Sequence, residues 1–493
     1  MAAFGSGAFG ALPRSGPAER VAISGGGLCG WLAACLLARH LPHLRIVVHP
    51  ASADEETRPD RSLGVPLAAE VLLPGDLEHI AAAGLRGGDL IRHCRGSFML
   101  GTALTGWRAA GGPAFVPFGE IGAPLGPVPF HQIVAAARAR GHDVNMANYA
   151  LGALCAQTGR FAPPRSDDAS VLSTLSFGLA VESDALRRLL RDDALAHGVQ
   201  HGEAVADPAS LCAAADLVID ARGAPEAWSE NGGEQGGEDW SALMPFDRAL
   251  VAKRAEPGTP PPPPPPYAHL SALAEGWQGF VPLAGAMTET LVFAAAAPPA
   301  EVTGALPEAH RLAPGRSATA WQGAIVRMGA AAQQHDPVAG LQLHLALADV
   351  VRLIALFPAN ADCAVEAAEY NRQWRERSDC AFDYTVLRLA RNGAKGAVWD
   401  RLRAAALPHR TAYRHDLYAA NGRIALHDGE VFETPGWVMQ FEALGIRPRR
   451  PDALAMTVPD MAITAHFEAI RKAMLAGVAK LPPHGAVLAE VCA

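Results

Sequence analysis

The chain has 493 residues, of which 50% are hydrophobic and 19% are charged, so it has enough apolar material for large cores and is not a disordered protein. Its 42 Lys and Arg against 50 Asp and Glu give a net charge of −8; with no long basic run, nucleic acid is not an expected partner. At about 150 residues per domain, this length predicts two or three lobes.

The eight cysteines are spread along the chain without a CxxC pair or a zinc-like His/Cys spacing, a pattern that suits a reducing cytoplasm and predicts no metal. Residues 1–17 lack the basic start and apolar core of a signal peptide. No later segment has the ~18 uninterrupted apolar residues of a membrane span. We therefore expect a cytoplasmic protein that does not contact a membrane.

The first elements predict one βαβ unit after a flexible N-terminus at residues 1–19. A short apolar run at Arg20–Ser24 reads as a strand, Gly25–Gly30 breaks it, and a helical pattern follows at Trp31–His40. Leu44–Val48 then reads as the second strand.

The glycines of this break have the GxGxxG spacing, at Gly25, Gly27 and Gly30. Between a strand and a helix, such a turn lets the backbone approach a pyrophosphate and directs helix N-terminal amides toward it. This context predicts dinucleotide binding. The second strand is followed by His49, where an acid commonly binds the ribose; this histidine either hydrogen-bonds a ribose or is simply exposed at the strand end.

Further elements follow in the next part of the chain. Ala and Leu spacing between Leu67 and Leu90 predicts helices, whereas Phe98–Trp107 reads as extended. Ser183–His197 has the pattern of an amphipathic helix. Ala215–Asp220 is a candidate buried strand, closed by the turn Ala221–Gly223.

Two segments interrupt this pattern. Residues 226–239 are rich in Gly and acidic residues and predict a flexible loop rather than a metal site. Residues 258–266 are proline-rich, and the run Pro260–Pro266 predicts a polyproline II rod. That rod is either a plain spacer or a docking segment for a module that reads PxxP.

A second candidate cofactor segment lies downstream. Ala324–Arg327 reads as a strand, the small residues of Met328–Gly340 would let the backbone pass close to a flat cofactor, and Leu341–Phe357 predicts a long helix. The helix N-terminus at Pro337–Leu341 would direct positive partial charge toward a flavin ring. The alternative is an ordinary strand-turn-helix with proline in the first turn.

Polar residues near and after this segment have two interpretations. His335 could shuttle protons beside a flavin, or it could be a loop histidine next to an N-cap residue, Asp336. The chain from 361 onward predicts mostly helices. The arginines of Arg372–Arg391 are expected on solvated helix faces.

Several motifs now point to one family. They are GGGLCGWLAA at Gly25–Ala34, Ser62–Val65, Ser97–Gly101 leading to Trp107, Asp220–Gly223, Gly276–Pro282, Asp336–Pro337 and Phe432–Trp437. In this order they resemble the flavin-dependent tryptophan halogenase family, from about Arg20 to near the C-terminus. Gly329–Val350 is also similar to the second FAD-binding segment of aromatic-ring hydroxylases.

The resemblance implies an α/β fold: a three-layer, Rossmann-like FAD-binding module of the flavin monooxygenase type, a β-sheet substrate region and a helical C-terminal lobe. We expect the FAD-binding and substrate-covering region at residues 20–360 and the helical lobe at 361–493. FAD is implied as cofactor, and the implied FAD-binding residues are Gly25, Gly26, Gly27, Cys29, Gly30, Leu63, Val65, Ala68, Asp220, Gly223, Gly329 and Pro337.

The resemblance also implies that reduced FAD and O2 react with an indole or another electron-rich aromatic. A separate flavin reductase would supply the reduced FAD. A homodimer is possible. In such halogenases a tunnel carries hypohalous acid to a lysine, which works with a glutamate. Met99 occupies the lysine position and Ala339 the glutamate position; Gly340 and Leu341 occupy the halide seat. A thioether has no N–H and is easily oxidised.

These substitutions leave three functions open. The chain is a halogenase relative with altered chemistry, an FAD-dependent aromatic monooxygenase that hydroxylates its substrate, or a non-catalytic flavin-binding paralogue. The paired-tryptophan motif that restrains direct hydroxylation in the family is incomplete, since Trp277 is present but Gly279 replaces the second aromatic.

Overall fold

The computed structural model describes residues 18–110, 112–165, 170–225, 228, 237–255, 263–296, 309–359 and 363–492. The predicted flexible N-terminus lies outside this part except for residues 18 and 19, as do most of 226–239 and residues 258–262 of the proline-rich segment.

The strands lie in four sheets. In chain order they are β1 (Arg20–Ser24), β2 (Arg45–His49), β3 (Ala69–Leu72), β4 (Ser97–Met99), β5 (Gly101–Thr105), β6 (Ala114–Pro117), β7 (Gly178–Glu182), β8 (Gln200–His201), β9 (Leu217–Asp220), β10 (Gly237–Asp239), β11 (Arg248–Ala255), β12 (Ala268–Ala272), β13 (Gly276–Leu283), β14 (Ala286–Phe293), β15 (His310–Arg311), β16 (Gly315–Ser317), β17 (Trp321–Gln322), β18 (Ile325–Arg327) and β19 (Gln333–Gln334).

The α-helices lie mainly at the two ends of the chain. They are α1 (Leu28–His40), α2 (Pro74–Ala82), α3 (Gly87–His93), α4 (Phe130–Ala139), α5 (Leu151–Thr158), α6 (Ser183–Ala196), α7 (Gln342–Ala355), α8 (Ala364–Ala390), α9 (Ala397–Ala404), α10 (His409–Asn421), α11 (Thr434–Leu444), α12 (Ala453–Met456), α13 (Asp460–Val478) and α14 (His484–Cys492).

The nucleotide-type sheet has the order β17-β18-β9-β1-β2-β8, parallel except for the β17–β18 pair. Its central strands are short apolar runs, as expected of parallel strands covered on both faces. Helix α1 is buried from Leu28 to Ala38 and packs between α6 and α7. The predicted βαβ unit is confirmed.

The second large sheet has seven strands in the order β15-β11-β14-β13-β12-β5-β6, antiparallel apart from the β12–β5 pair. Two three-stranded sheets, β3-β7-β4 and β10-β16-β19, contain the remaining described strands. After residue 363 the described chain forms helices and connecting turns only. The predicted fold class, an α/β flavin-type module with a β-sheet region and a helical C-terminal part, is confirmed.

Three local predictions are corrected. Ala69–Leu72 is a strand rather than a helix, because it pairs with β7, and helix α2 begins only at Pro74. The predicted flexible loop 226–239 ends in strand β10, and Trp228 within it is buried and donates its indole N–H to the Ala313 carbonyl at 2.6 Å.

The third correction concerns the arginines of Arg372–Arg391. The first half of α8 is largely solvated, but its last turns are buried in the core, and Arg388 is only 4% exposed.

The described end of the proline run packs on the protein, since Leu100 donates its amide to the Pro266 carbonyl at 2.7 Å. Among the described residues, no helix combines the length and apolar content that a membrane span requires.

Candidate functional site

The glycine bend after β1 needs its glycines. Gly25 has φ +115°, and a Cβ there would lie 2.8 Å from the carbonyl of Ala221, at the end of β9. A Cβ on Gly30 would collide with the Gly25 carbonyl oxygen. The backbone therefore forms the tight turn and the close helix–strand packing of a dinucleotide-binding bend.

The amides at the start of α1 are occupied by side chains of this same chain. Leu28 donates to Asp60 Oδ2 at 2.5 Å, and Cys29 donates to Ser62 Oγ at 3.0 Å. Gly26 donates to Glu55 Oε2 at 3.1 Å. These amides are the donors that a pyrophosphate would use, so two carboxylates lie where phosphate oxygens are expected.

Most of the predicted FAD-binding residues meet at this bend. The Ala330 amide, next to Gly329, donates to the Ser62 carbonyl at 2.8 Å. A Cβ on Gly223 would lie 3.3 Å from Arg61 Cβ, and the Asp220 carboxylate binds Arg222 at 2.8 Å. Three separate segments thus converge on the segment Glu55–Val65.

Two predicted residues lie elsewhere, and one has a different partner. Pro337 lines a cavity on the substrate side, while the Ala68 carbonyl accepts from the Ser183 amide. His49 Nδ1 lies 2.9 Å from the Glu203 carbonyl oxygen, so the structure favours the strand-end interpretation of this histidine.

The backbone of this bend fits the pyrophosphate of FAD, but side chains of the same chain already occupy its amides. Gly25, Gly27 and Gly30 provide the close approach, and the α1 amides provide the donors. Because Asp60 and Glu55 accept from those donors, a pyrophosphate would compete with these two carboxylates for the same amides.

A partly open cavity lies between the small β3-β7-β4 sheet, the seven-stranded sheet and the C-terminal helices. Its wall is mainly apolar and aromatic. The lining residues include Leu67, Ala69, Glu70, Val71, Leu73, Met99, Val116, Phe118, Leu270, Trp277, Gly279, Val281, Pro337, Val338, Ala339, Gly340, Tyr384, Arg388 and Phe432.

Met99 and Ala339, the positions that the resemblance assigns to the lysine and the glutamate, both lie on the wall of this one cavity. Met99, at the lysine position, is 1% exposed and packs with alanines of neighbouring strands. Ala339, at the glutamate position, lines the same space. No lysine lines it, since the lysines of the chain are Lys253, Lys395, Lys472 and Lys480.

A buried carboxyl group links this cavity to the tryptophan of the incomplete motif. Asp336 Oδ1 accepts from Trp277 Nε1 at 3.1 Å and from the Val338 amide at 2.9 Å, as an N-cap residue does. Burial raises the pKa of Asp336 to about 7, and its Oδ2 has no hydrogen-bond partner among the described residues.

His335 does not fit the role of a proton shuttle. It is 4% exposed, its ring lies 4.8 Å from that of Trp240, and burial lowers its pKa to about 3. An imidazole with this pKa stays neutral near pH 7 and does not change protonation there. The structure favours the loop interpretation, with Asp336 as the cap.

Two charged residues of the cavity wall were missed from the sequence. Glu70 is 4% exposed, its carboxyl group makes no hydrogen bond with the described residues, and its pKa is raised to about 8 by burial and by the charge of Asp60. Arg388 is equally buried. The sequence holds one signal for the burial of these two residues, which is that both have apolar neighbours. Ala69 and Val71 flank the acid, and leucines flank the arginine.

Metal binding has no support in the described part of the chain, where no group of three or more His, Cys, Asp or Glu side chains is arranged to hold an ion.

Comparison with protein families gives one match: the tryptophan halogenase family model aligns with residues 20–460. Comparison with curated proteins gives no match. The fold is shared with solved structures at low sequence identity.

Among them is Xcc4156, a flavin-dependent halogenase from Xanthomonas campestris, with 23% identity and a TM-score of 0.84 over 97% of this chain and 99% of the other. BrvH, a flavin-dependent halogenase from Brevundimonas sp. BAL3, has 22% identity and a TM-score of 0.83 over 96% and 99% of the two chains. SttH, a tryptophan 6-halogenase from Streptomyces toxytricini, has 18% identity and a TM-score of 0.79 over 96% and 99%.

Proposed function

Because this chain belongs to the tryptophan halogenase family, we propose that it is a flavin-dependent oxidoreductase that acts on an indole or another electron-rich aromatic. FAD would be held at the α1 bend, with Gly25, Gly27 and Gly30 against its pyrophosphate. The aromatic would occupy the cavity lined by Met99. A separate flavin reductase would supply reduced FAD, and reduced FAD supplies the activation of O2 when bound.

The single observation that carries the chemistry of this proposal is the pairing of Met99 with Ala339 in one cavity. Hypohalous acid needs an amine that can donate a hydrogen bond or form a haloamine beside the ring. A thioether and a methyl group do neither. Transfer of a halogen through a lysine is therefore not the reaction that this wall supports.

The same observation favours aromatic hydroxylation as the second candidate. The cavity is largely apolar, a lining that disfavours water beside the reacting ring. Trp277 and Phe118 offer flat faces against which an aromatic can pack. In this reaction one oxygen atom of O2 enters the ring, the other leaves as water, and reduced FAD provides the two electrons.

We also place the protein in a reducing compartment, the cytoplasm. Its eight cysteines are all free thiols, five of them buried in the core. Burial raises the pKa of the Cys35 thiol and that of Cys29, which keeps both groups protonated and unreactive.

Product analysis tests the proposed function. The purified protein is first titrated with FAD, whose fluorescence is quenched on binding. It is then incubated with a flavin reductase, NADH, O2, bromide and a panel of indoles, and the products are read by mass spectrometry. We expect FAD binding and a product with one added oxygen atom, without bromine.

Two results contradict this proposal in different ways. A brominated product would show that another group replaces the lysine. FAD binding without any product from the panel would point to the third candidate, a non-catalytic flavin-binding paralogue.

A paired substitution is expected to introduce halogenation. Met99→Lys alone buries an amine with no acid at its side, and burial lowers the pKa of such a lysine. In Met99→Lys/Ala339→Glu the carboxylate returns to the same cavity, so we expect brominated indole from the double variant and little from the single one. Met99→Leu, which conserves volume, is the matched control. A folded, FAD-loaded double variant that yields no brominated product would show that the route of the oxidant has also changed.

A further inference from the structure

The last turns of α8 place one arginine on the cavity wall with only neutral partners. Arg388 Nε donates to Gln440 Oε1 at 3.1 Å, Nη1 donates to the Val338 carbonyl at 2.8 Å, and Nη2 donates to the Tyr384 hydroxyl at 3.3 Å. A guanidinium has five N–H donors. Two of those of Arg388 therefore have no acceptor in these contacts.

The charge of Arg388 is also uncompensated. No Asp or Glu of the described chain forms an ion pair with it, although it is only 4% exposed. Two other buried arginines differ: Arg352 binds Asp349 at 3.0 Å, and Arg414 binds Glu430 at 2.5 Å. Burial of a charge without a partner is costly, so a retained unpaired arginine at a cavity wall is suited to a ligand of opposite charge.

The other residues of the cavity wall indicate what kind of ligand would carry the negative charge that pairs with Arg388. Trp277, Phe118, Phe432 and Tyr384 surround a mainly apolar space, and the guanidinium of Arg388 lies 5.2 Å from the centre of the Tyr384 ring. This surface accepts a flat apolar body. The planar guanidinium matches a carboxylate, whose two oxygens can accept from both free donors.

We propose that Arg388 binds the carboxylate of the substrate, and that the substrate class is therefore aromatic molecules with a single negative charge and no ammonium group. This inference rests on the proposed function for the aromatic part and extends it to the charge. Glu70, the only acid on the described part of this wall, is 4% exposed and forms no ion pair with the described residues. Burial raises its pKa to about 8, so it is largely neutral near pH 7 and offers an ammonium group no fixed charge.

Binding without flavin separates this inference from the oxidoreductase proposal. Indole-3-acetate and its neutral isostere, indole-3-acetamide, are titrated into the full chain by calorimetry at pH 7. We expect the carboxylate to bind at least tenfold more tightly than the amide, about 1.4 kcal/mol. Tryptamine, the cationic analogue, should bind more weakly than either.

Variants then assign the preference to one residue. Arg388→Gln should lower the affinity for the carboxylate to that for the amide while the affinity for the amide is retained, and Arg388→Lys should keep part of the preference. Arg391→Gln removes a partly exposed arginine of the C-terminal turn that does not line the cavity, and should leave the preference intact.

Three results would overturn the inference. Equal affinities of the wild type for the carboxylate and the amide would show that the cavity does not read this charge, whatever the variants do. An unchanged preference in Arg388→Gln would place the recognition elsewhere. Displacement of indole-3-acetate by millimolar bromide would identify a halide ion as the occupant beside Arg388. Loss of FAD binding with an intact carboxylate preference would contradict only the oxidoreductase proposal.

Discussion

Replacing Asp60 with alanine is expected to tighten FAD binding at least tenfold, or about 1.4 kcal/mol. In the wild type, the Asp60 carboxylate must leave the Leu28 amide before a phosphate can use that donor. A hydrogen bond to a charged group contributes about 1.5–3 kcal/mol, and the carboxylate also repels the pyrophosphate. Both effects disappear in Asp60→Ala.

The same substitution should lower the free energy of unfolding of the FAD-free protein. Loss of a side chain that caps α1 costs about 1 kcal/mol, and this loss falls on the FAD-free form alone if the pyrophosphate takes over the amides. Titration by FAD fluorescence and urea unfolding with and without FAD measure the two opposite changes.

Two further variants identify the cause. Asp54→Ala removes an exposed acid of the same segment that binds Ser52 and Arg58 and does not contact the α1 amides, so FAD affinity should stay close to that of the wild type. Asp60→Asn keeps an acceptor but removes the charge and should lie between the wild type and Asp60→Ala. Weaker FAD binding in Asp60→Ala would mean that Asp60 helps to hold the cofactor.

The second large effect is expected for stability as a function of pH. Glu70→Gln should unfold with nearly the wild-type free energy at pH 5 and be roughly 2–4 kcal/mol more stable than the wild type at pH 8.5, since each unit of pKa shift corresponds to about 1.4 kcal/mol. Burial and the nearby Asp60 charge raise the pKa of Glu70 from 4.5 to about 8.

The sign follows from proton binding. Between pH 4.5 and 8 the folded protein keeps the Glu70 proton and the unfolded chain releases it, so the free energy of unfolding falls as pH rises through this interval. Asp336 and Asp349, whose pKa values burial raises to about 7 and about 6, add to the same fall in the wild type and in the variant. The difference between the two proteins isolates Glu70.

Urea unfolding at pH 5.0, 7.0 and 8.5 measures this difference. Glu78→Gln, which changes an exposed acid on α2, should show no trend with pH. A stability gain for Glu70→Gln that is the same at all three pH values would show that Glu70 is already ionised in the folded protein.

Local sequence patterns are sufficient to predict several elements of this fold. The glycine bend, strands β1, β2 and β9, helix α6 and helix α7 follow from glycine spacing and hydrophobic period, and the structure contains them within a few residues. Ala69–Leu72 was missed because four residues cannot show a period, and only pairing with β7 makes them a strand. The motifs also indicated the family, which the family model over residues 20–460 confirms, whereas the assignment of Met99 to the lysine position stays a prediction.

The partner that each charged side chain contacts depends instead on tertiary packing. Asp60 lies 32 residues from the amide that it accepts from, and Arg388 lies 50 residues from the carbonyl that it binds. No local pattern encodes such contacts, because they depend on how separate elements pack. An arginine on a long helix is expected to be solvated unless another element covers that turn, and here α11 and the segment after β19 cover it. This packing buries Arg388 on the cavity wall, where its sequence position alone would suggest an ordinary surface charge.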